Sequence, residues 1–592
     1  MRLRRLRLDR YRSFIDQTLL LDRQVTVMVG RNDTGKTSIL HRFFDQYVFE
    51  GVIHSADVPR VTGAAGPIQF SLTWEVADND YDQFPLLEAF GKRGVRTLEM
   101  RFRNEEGPSE LWTYVGDGQR LSAYQGKAED GTPIRRDVFR ARNLLPRPQY
   151  LHVDRTVMTN FQARLFDLPA ATPANSRPLA GAHEASLLRL AGLAGETRPV
   201  SDERWPPTPF PQSTMSLAEV EDRLEQLSTR MTKLVRRWWD DPPGVTVNLK
   251  LAGNDETKPQ SHRENNLYII CNLTDATGLP LLGSGFLWFF TFLLNLELLG
   301  EWSTPLLLLI DEPATPLHPS AQRRTAKLLD ELARKHQVIY STHSPFLIDW
   351  NFPQRIRVFE RDPVSRRSLI NNRPYVAQEQ IWDPLRESIG VTLGDIGGFA
   401  EVTILVEGIT DQIILANASR VLEITGGPNL DLAKTSILPY GDERALEAIL
   451  VMGKRAGVRC VVITDFDEQG RKTEAVTARL RANHVSIGNV LADSRSDLSI
   501  EDLLGVEGCV TWVNETYSSF DWFRPISAAE VTATRGTLSL GRALEVLFAN
   551  RFGKNFSKVS VAVTIADAWW HGSATIPYHI TNLIGQIIQA AG

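Results

Sequence analysis

The stretch Val25-Thr26-Val27-Met28-Val29-Gly30-Arg31-Asn32-Asp33-Thr34-Gly35-Lys36-Thr37-Ser38 decides the fold of the N-terminal part of the chain. An apolar run leads into a turn with glycines, a lysine and a hydroxyl residue, which satisfies every fixed position of the Walker A pattern. A strand that ends in such a turn and opens a helix points backbone N–H groups at a phosphate, at the positive end of the helix dipole. The stretch therefore predicts a strand, a phosphate loop and a helix in an α/β domain.

Each position of this loop has an expected part in binding a nucleotide. We expect Lys36 to contact the β- and γ-phosphates, and Thr37 to offer its hydroxyl to a Mg²⁺ ion. The predicted nucleotide-binding residues of the loop are Gly30, Asn32, Thr34, Gly35, Lys36, Thr37 and Ser38. A glycine-rich turn with a chance lysine is the alternative, but the preceding strand and the following helix are the context that the motif requires.

Two later apolar runs end in residues suited to nucleotide hydrolysis. The run 305–310 closes on Asp311 and Glu312, and the run 338–340 leads into Ser341-Thr342-His343-Ser344-Pro345. At the carboxyl edge of a parallel sheet, Asp311 would reach the Mg²⁺ shell and Glu312 would polarise water. We expect His343 to hold the γ-phosphate and the attacking water, although a lone histidine is more often structural.

The chain resembles the ABC-type ATPases of the RecF, SMC and OLD (overcoming lysogenization defect) group in three motifs taken together. They are the Walker A loop, Asp311-Glu312-Pro313 followed by Leu317-His318-Pro319, and the segment 341–345. In that group two ATPase heads sandwich the nucleotide, and a signature loop of one head contacts the γ-phosphate on the other. The resemblance places this loop at Leu282-Gly283-Ser284-Gly285-Phe286, with Ser284 and Gly285 as nucleotide contacts. The group usually has serine where Gly283 stands, so either Ser284 or backbone donors replace it.

A second set of acids is spread through the C-terminal part of the chain. Its members follow apolar runs or open a turn, and they are Glu407, Asp411, Asp465, Asp467, Glu501 and Asp502. Asp465 and Asp467 flank Phe466, so both carboxylates project to one side of an extended segment. Oxygen ligands without histidine or cysteine suit Mg²⁺ or Mn²⁺. A structural cluster of like charges would repel strongly without a cation, although Glu501 and Asp502 could simply open a helix.

This arrangement resembles the TOPRIM domain of topoisomerases, primases and OLD-family nucleases, which has a glutamate after one strand and Asp-x-Asp after another. The pair Glu501-Asp502 resembles an additional acidic motif of OLD nucleases, which implies a site for two metal ions. The segment 551–558 resembles their lysine-bearing C-terminal element, and it favours Lys558 over Lys554 as the catalytic cation, with a solvated surface lysine as the alternative. The resemblance thus implies the catalytic set Glu407, Asp465, Asp467 and Lys558, beside Glu312 and His343 of the ATPase.

The neighbouring segments favour a nuclease among the TOPRIM classes. A topoisomerase needs a transesterifying tyrosine in an added domain, for which residues 400–592 leave no room, and a primase would not ordinarily carry an ABC head. Composition fits an ordinary soluble protein, with 42% hydrophobic and 23% charged residues and a net charge of −5. Its three cysteines are widely spaced, and the uncharged segment 279–294 is interrupted by Pro280 and two glycines. We therefore expect a cytoplasmic protein without a membrane span or a disulfide framework.

The expected fold class is α/β: an ABC-type (RecF/SMC-like) ATPase head with a helical dimerisation insert, followed by a TOPRIM domain with a mostly parallel sheet. Ser216 to Trp239 has the spacing of an amphipathic helix and lies where OLD relatives carry that insert. The expected domains are the N-terminal ATPase half at 1–160, the insert at 161–245, the C-terminal ATPase half at 246–352, a linker at 353–399, and the TOPRIM domain at 400–592.

The resulting interpretation is an OLD-family ATPase and endodeoxyribonuclease, similar to the nuclease subunit of Gabija-type anti-phage defence. The implied cofactors are ATP with one Mg²⁺ ion, and two Mg²⁺ or Mn²⁺ ions at the TOPRIM acids. The implied partners are DNA, a second copy of the chain in a homodimer or larger assembly, and a helicase or another defence-system companion protein. The alternative is an ATP-driven sensor or scaffold whose TOPRIM domain binds a partner or nucleic acid without cutting.

Overall fold

The computed structural model describes residues 1–40, 68–77, 80, 97–104, 110–116, 119–120, 148–151, 162–164, 217–239, 244–252, 268–277, 284–300, 305–374, 400–432, 434–491, 497–518 and 520–592. The chain forms two compact units. The first comprises residues 1–348 and 357–372, and the second comprises residues 349–356 and 373–592.

The first unit contains most of the strands. They are β1 (Arg2–Asp9), β2 (Gln17–Leu20), β3 (Val25–Gly30), β4 (Gln69–Glu75), β5 (Thr97–Asn104), β6 (Glu110–Gly116), β7 (Gln119–Arg120), β8 (Pro148–Leu151), β9 (Gln162–Arg164), β10 (Thr246–Ala252), β11 (Tyr268–Thr274), β12 (Leu307–Ile310), β13 (Gln337–Thr342), β14 (Ile356–Arg361) and β15 (Ser368–Asn371). A six-stranded sheet has the order β15-β14-β3-β13-β12-β8, in which β3, β13, β12 and β8 are parallel. Since β3, β12 and β13 are buried along their whole length, the apolar runs predicted from the sequence form the centre of this sheet.

The other two sheets of this unit are antiparallel, with the orders β2-β1-β4-β5-β6-β7 and β10-β11-β9. Among the described residues of this unit, the helices α1 (Leu217–Trp238), α2 (Ser284–Gly300) and α3 (Pro319–Leu332) accompany these sheets. The helix α1 buries Leu224, Leu227, Met231 and Val235, and its Ser228 Oγ accepts a hydrogen bond from the Leu249 N–H of β10. The predicted apolar stripe therefore packs within the chain, and a dimer contact would have to use another face of α1.

The second unit is a parallel sheet surrounded by helices. Its strands are β16 (Val402–Val406), β17 (Thr435–Pro439), β18 (Arg459–Thr464) and β19 (Asn483–Ser486), in the order β17-β16-β18-β19. Every pairing in this sheet is parallel, which confirms the expected TOPRIM sheet. The helices are α4 (Ile409–Thr425), α5 (Glu443–Arg455), α6 (Glu468–Leu480), α7 (Ile487–Leu491), α8 (Val506–Tyr517), α9 (Ala528–Arg535), α10 (Leu540–Phe552), α11 (Lys558–Trp570) and α12 (Tyr578–Ala591).

The expected linker at 353–399 differs from the structure in its first part. Residues 356–361 and 368–371 form β14 and β15, which extend the parallel sheet of the first unit. Within this segment Arg357 is buried, and its Nε donates to the Leu20 carbonyl. Residues 375–399 of the expected linker, and 165–216 of the expected insert, lie outside the described residues.

The segment 284–300 is a buried helix, as its sequence predicts. Phe289, Phe290, Phe292 and Leu294 of α2 are almost wholly enclosed. Within the ranges that the structure describes, none of the helices has both the length and the apolar character needed to cross a bilayer.

Candidate functional site

The phosphate loop follows β3 with the backbone conformation that its motif requires. Gly35 has φ of 103°, in the left-handed region, and a helix begins at Lys36. The side chain of Lys36 is buried, and its Nζ donates to the carbonyls of Gly30 at 2.7 Å and Arg31 at 3.0 Å. Burial lowers the pKa of Lys36, whereas the nearby acids Glu312 and Asp311 counteract this shift. The lysine is thus held inside the loop, where the cation of a phosphate site belongs.

The remaining loop residues line the turn. Thr34 Oγ1 donates to the Arg31 carbonyl at 2.8 Å, which closes the turn from inside. Ser38 Oγ accepts from Arg12 Nη1 at 3.2 Å, while Asn32 and Thr37 are exposed. The hydroxyl of Thr37 is therefore accessible to an incoming metal–nucleotide complex.

The acids after β12 and the histidine after β13 meet this loop, because β3, β13 and β12 are neighbours with parallel directions. Ser341 Oγ donates to Asp311 Oδ1 and accepts from the Glu312 N–H at 3.0 Å. Glu312 has φ of 50°, a conformation that is strained for a residue with a side chain and that is common at functional sites. Sequence reasoning quoted Ser341 within the segment 341–345 but did not predict its contacts with the Asp311 carboxyl and the Glu312 backbone.

His343 lies between the lysine and the glutamate. Its Nε2 atom is 3.2 Å from Lys36 Nζ and 3.1 Å from Glu312 Oε1. Burial and the positive charge of Lys36 lower the pKa of His343, so the neutral ring is favoured. One ring nitrogen cannot accept from Lys36 and donate to Glu312 at once, so the position of a single proton decides which partner it bonds. The expected contact of His343 with a γ-phosphate stays a prediction.

The signature-like loop is described from Ser284 onward. Ser284 begins α2, and an added Cβ at Gly285 would lie 3.2 Å from the Pro316 carbonyl oxygen and from Leu317 Cδ2. Gly285 is therefore close to the segment that follows Asp311 and Glu312. Leu282 and Gly283 lie outside the described residues.

In the second unit, the predicted acids assemble at the carboxyl edge of the parallel sheet. Glu407 directly follows β16, Asp411 lies in the first turn of α4, and Asp465 and Asp467 follow β18. A 3₁₀ turn at Ile500–Leu504 carries Glu501 and Asp502, and Lys558 is the first residue of α11. Because β16 and β18 are adjacent and parallel, their ends bring the first four acids into one cluster.

The carboxyls of this cluster shift one another's pKa upward. Burial, then the charge of Glu501, raises the pKa of Asp411 to about 7. Burial, then Asp411 and Glu407, raises the pKa of Asp465 well above its ordinary value of 3.8. Burial and Asp467 raise the pKa of Glu407, whose buried Oε2 atom has no hydrogen-bond partner among the described residues. An orphaned buried carboxylate oxygen among like charges is a feature that a divalent cation would satisfy.

Lys558 lies beside these acids. Its Nζ lies 3.9 Å from Glu501 Oε1 and 3.6 Å from Glu545 Oε1. Burial alone would lower the pKa of Lys558, but the surrounding carboxylates raise it above its ordinary value. Lys554, the other lysine considered from the sequence, is exposed. The geometry therefore favours Lys558 as the cation of this site.

The acids are close, but they are not yet arranged as a ligand shell. In the described part of the chain, no three His, Cys, Asp or Glu side chains converge with the geometry of a metal site. Asp411 Oδ2 instead accepts from the Gly408 N–H at 2.9 Å, and Asp467 Oδ1 accepts from the Gly470 N–H at 2.7 Å. Side-chain movement is needed before an ion can be held, yet the all-oxygen donors and the orphaned Glu407 oxygen fit Mg²⁺ or Mn²⁺.

Asp502 differs from the other predicted ligands. Its buried carboxylate pairs with Arg535 and accepts from the Ser499 N–H at 2.8 Å and the Leu540 N–H at 3.2 Å. Both oxygens thus have partners, in the turn at Ser499 and in the segment that leads into α10, and the expected ligand role of Asp502 stays a prediction. Its neighbour Glu501 accepts from Ser499 Oγ at 2.6 Å and lies beside Lys558.

Two residues of α10 that sequence reasoning missed contact this cluster. Arg542 Nη2 donates to Asp467 Oδ2 at 2.9 Å, and the backbone at Gly541 lies against both Glu501 and Lys558. The start of α11, which carries Lys558, is fixed by the Tyr517 hydroxyl, which accepts from the Ser557 N–H at 2.9 Å. No motif in the sequence connects these distant segments.

Comparison with known proteins finds family models in three parts of the chain. Residues 1–49 match an AAA domain, residues 189–348 match an AAA ATPase domain, and residues 399–467 match an "Overcoming lysogenization defect protein-like, TOPRIM domain". These matches support the expected ATPase and nuclease classes and confirm the expected α/β combination of an ATPase head with a TOPRIM domain.

Among curated proteins, the OLD nuclease of Thermus scotoductus is 30% identical over 173 residues, which cover 27% of this chain and 30% of that protein. An uncharacterised protein of Methanocaldococcus jannaschii is 26% identical over 166 residues, covering 27% of this chain and 41% of the relative. The chain thus matches less than half the length of either relative.

Among solved structures, the SMC head domain from Thermotoga maritima is 14% identical with a TM-score of 0.32, covering 63% of this chain and 98% of that domain. An SMC head bound to the C-terminal winged-helix domain of ScpA is also 14% identical, with the same coverage and a TM-score of 0.36.

Proposed function

Because the chain joins an AAA ATPase domain to an OLD-like TOPRIM domain, we propose that it is an ATP-binding and ATP-hydrolysing DNA endonuclease that depends on divalent metal ions. The observation that carries the proposal is the buried, unpartnered Glu407 Oε2 atom in a cluster of carboxyls with raised pKa values, beside Lys558. A purely structural acid cluster would be expected to pair its buried oxygens.

The TOPRIM acids Glu407, Asp411, Asp465, Asp467 and Glu501 would hold two Mg²⁺ or Mn²⁺ ions. Bound ions of this kind lower the pKa of water and neutralise the departing 3′ oxygen of a phosphodiester. The ammonium of Lys558 then neutralises charge that develops on the phosphate, because its raised pKa keeps it protonated at neutral pH. The hydrogen bonds from Gly408 and Gly470 hold the Asp411 and Asp467 carboxyls at the edge of the sheet, from which a side-chain movement would bring them onto an ion.

In the ATPase, the loop N–H groups and Lys36 bind the phosphates of ATP, and Thr37 and Asp311 hold the accompanying Mg²⁺ ion. Glu312 polarises the attacking water, and His343 contacts the γ-phosphate. Ser284 and Gly285 of a second copy complete the nucleotide site in a homodimer. Nucleotide occupancy controls when the TOPRIM site cuts DNA. The protein acts in anti-phage defence with a helicase or similar companion, a role that the resemblance to Gabija-type nucleases supports.

Plasmid nicking by the purified chain tests the nuclease. We expect Mg²⁺- or Mn²⁺-dependent nicking that Glu407→Gln reduces by at least about 100-fold, since the substitution removes a ligand charge without changing shape. Glu401→Gln is the matched control, because Glu401 is exposed on the N-terminal side of β16 and should leave the rate unchanged. Equal nicking by the wild type and Glu407→Gln would reject this assignment of the site.

Nicking with and without ATP tests the control by nucleotide. We expect the rate to change with ATP in the wild type and to be independent of ATP in Lys36→Ala, which lacks the phosphate-binding cation. Identical wild-type rates at every ATP concentration would remove the regulatory part of the proposal.

One observation favours the second candidate, a sensor or scaffold that binds DNA or a partner without cutting. Lys558 and Arg542 already lie within ion-pair distance of Glu501 and Asp467, respectively, so the acids have internal counter-ions. A scaffold of this kind would bind DNA but show no metal-dependent nicking for Glu407→Gln to abolish.

A further inference from the structure

Arg542 occupies the one oxygen of Asp467 that the backbone leaves free. Asp467 Oδ1 accepts from the Gly470 N–H and so caps α6, whereas Oδ2 accepts from Arg542 Nη2 at 2.9 Å. Asp467 is buried, but 52% of the Arg542 side chain is exposed. The guanidinium therefore joins a buried acid of the proposed metal site to the solvent-facing side.

A second, weaker contact holds the same guanidinium at the edge of the site. Arg542 Nη1 lies 3.5 Å from Asp497 Oδ2. If Arg542 released Asp467, this contact would keep it nearby without neutralising it strongly, because partly exposed ion pairs contribute little energy. The backbone of Arg542 is also fixed, since α10 starts at Leu540, whose N–H donates to Asp502.

A divalent ion that uses Asp467 must compete with this arginine. The Gly470 N–H already bonds Oδ1, and the Arg542 guanidinium covers Oδ2. An ion that binds Oδ2 therefore meets a positive charge that repels it at contact distance. Released from Asp467, the planar guanidinium presents paired donors that match the oxygens of a phosphate.

Building on the proposed nuclease function, we propose that Arg542 is an internal counter-ion of the acidic site that gives way to the metal ion and then binds a backbone phosphate of the DNA beside the cleaved bond. Metal binding thereby prepares the DNA-binding surface, and the exchange joins the two events. This role is separate from that of Lys558, which begins α11 and whose Nζ lies near Glu501 and Glu545, not near Asp467.

Isothermal titration with Mn²⁺, in the absence of DNA, provides the first readout. Arg542→Gln removes the competitor, so we expect Mn²⁺ to bind about threefold to tenfold more tightly than to the wild type, the net effect of one ordinary hydrogen bond at a half-exposed ion pair. If Arg542 merely positioned Asp467, its loss would loosen a ligand and weaken Mn²⁺ binding. The matched control is Arg551→Gln on the same helix, because Arg551 pairs with Glu530 and not with the acidic cluster.

DNA affinity provides the second readout, measured by fluorescence anisotropy on proteins that also carry Lys558→Gln to suppress cleavage. In Mn²⁺, adding Arg542→Gln to the Lys558→Gln protein should weaken DNA binding about tenfold and reduce the slope of log K against log salt by about one. In EDTA, the DNA affinities of the proteins with and without Arg542→Gln should differ little. Arg542→Lys, which keeps the charge, should restore part of the affinity, and thermal melting verifies that each variant is folded.

Unchanged or weaker Mn²⁺ binding by folded Arg542→Gln would overturn the proposal, as would equal DNA affinity of the two proteins in Mn²⁺. A wild-type protein that binds no Mn²⁺ would instead refute the nuclease function on which the proposal rests. The two failures are therefore distinguishable in the same titration.

Discussion

Replacing Gly541 by alanine would test whether the position of Lys558 determines the rate of DNA cleavage. An ideal Cβ at residue 541 would lie 2.8 Å from Lys558 Nζ and 2.9 Å from both Lys558 Cε and Glu501 Oε2. Ordinary contacts begin at 3.4 Å, so Nζ must retreat by about 0.6 Å. Displacements near 1 Å at a reacting centre can reduce rates about 100-fold, so we expect a loss of about 10- to 100-fold in nicking.

The same substitution should not unfold the protein. The atoms in the way are the ends of flexible side chains, and φ of Gly541 is not positive, so alanine introduces no backbone strain. Alanine is a better helix former than glycine by up to about 1 kcal/mol, so the melting temperature should stay the same or rise slightly.

Single-turnover nicking at saturating Mn²⁺, together with thermal melting, separates the two effects. Gly508→Ala is the matched control, because Gly508 also lies in the first turn of a helix but has open space around its Cβ position. A Gly541→Ala protein that is folded and cuts within twofold of the wild-type rate would refute the argument that Gly541 and the Lys558 ammonium are coupled.

Three further predictions concern stability and nucleotide binding. Burial lowers the pKa of His336 from 6.5 to about 4, so between these pH values the unfolded chain binds more protons than the folded chain, and the free energy of unfolding falls as pH drops from 6.5 to 4. In urea unfolding, His336→Gln should remove up to about 3 kcal/mol of this pH dependence, and a pH profile like that of the wild type would contradict the prediction. In Gly30→Ala the new Cβ would lie 2.3 Å from the backbone oxygen of Phe359, so a shifted loop should bind a fluorescent ATP analogue at least about tenfold more weakly, and wild-type affinity would count against this packing. Arg535→Ala should reduce the free energy of unfolding by about 3 to 5 kcal/mol, because Asp502 then keeps a buried charge without its partner. A loss below about 1 kcal/mol would argue against a structural role for the pair.

Periodic apolar runs and the residues at their ends carried most of the fold prediction. The runs before Gly30, Asp311 and His343 form neighbouring parallel strands, and the runs before Glu407 and Asp465 do the same in the second unit. In a parallel sheet the carboxyl ends of strands lie at one edge, so residues distant in sequence meet there without further information. This is why the expected groupings of residues could be stated from sequence alone.

The direction in which a side chain points at a turn could not be predicted from the sequence in the same way. Glu501 and Asp502 are adjacent and chemically similar, yet one approaches Lys558 while the other is turned to Arg535 and the N–H groups of Ser499 and Leu540. A capping motif was visible in the sequence as an acid three residues after Ser499, and it favours the structural role for Asp502. Its partner Arg535 lies more than thirty positions away, where no local pattern points to it.

The segment 353–371 shows that burial of charged residues is also difficult to predict from sequence. Arginines usually mark a solvated face, but long apolar stems allow them to line a strand while the charged end finds a carbonyl, as Arg357 does with Leu20. Strand β14 is therefore mostly buried despite its charges. Burial of charged residues depends on partners that folding supplies, so the sequence did not reveal that the first part of the expected linker belongs to the sheet of the first unit.

Both proposed catalytic centres contain an internal cation that contacts the groups a ligand would need. Lys36 donates to the loop carbonyls and lies beside His343, and Arg542 donates to Asp467. Buried charges destabilise a fold unless they are paired, so these contacts allow each centre to form before nucleotide or metal arrives. Ligand binding then becomes an exchange of partners, in which the released cation is already positioned to contact a phosphate. An acidic site without such a cation would bind metal more tightly but would lack a donor for the DNA, which is the trade-off that the Arg542 variants measure.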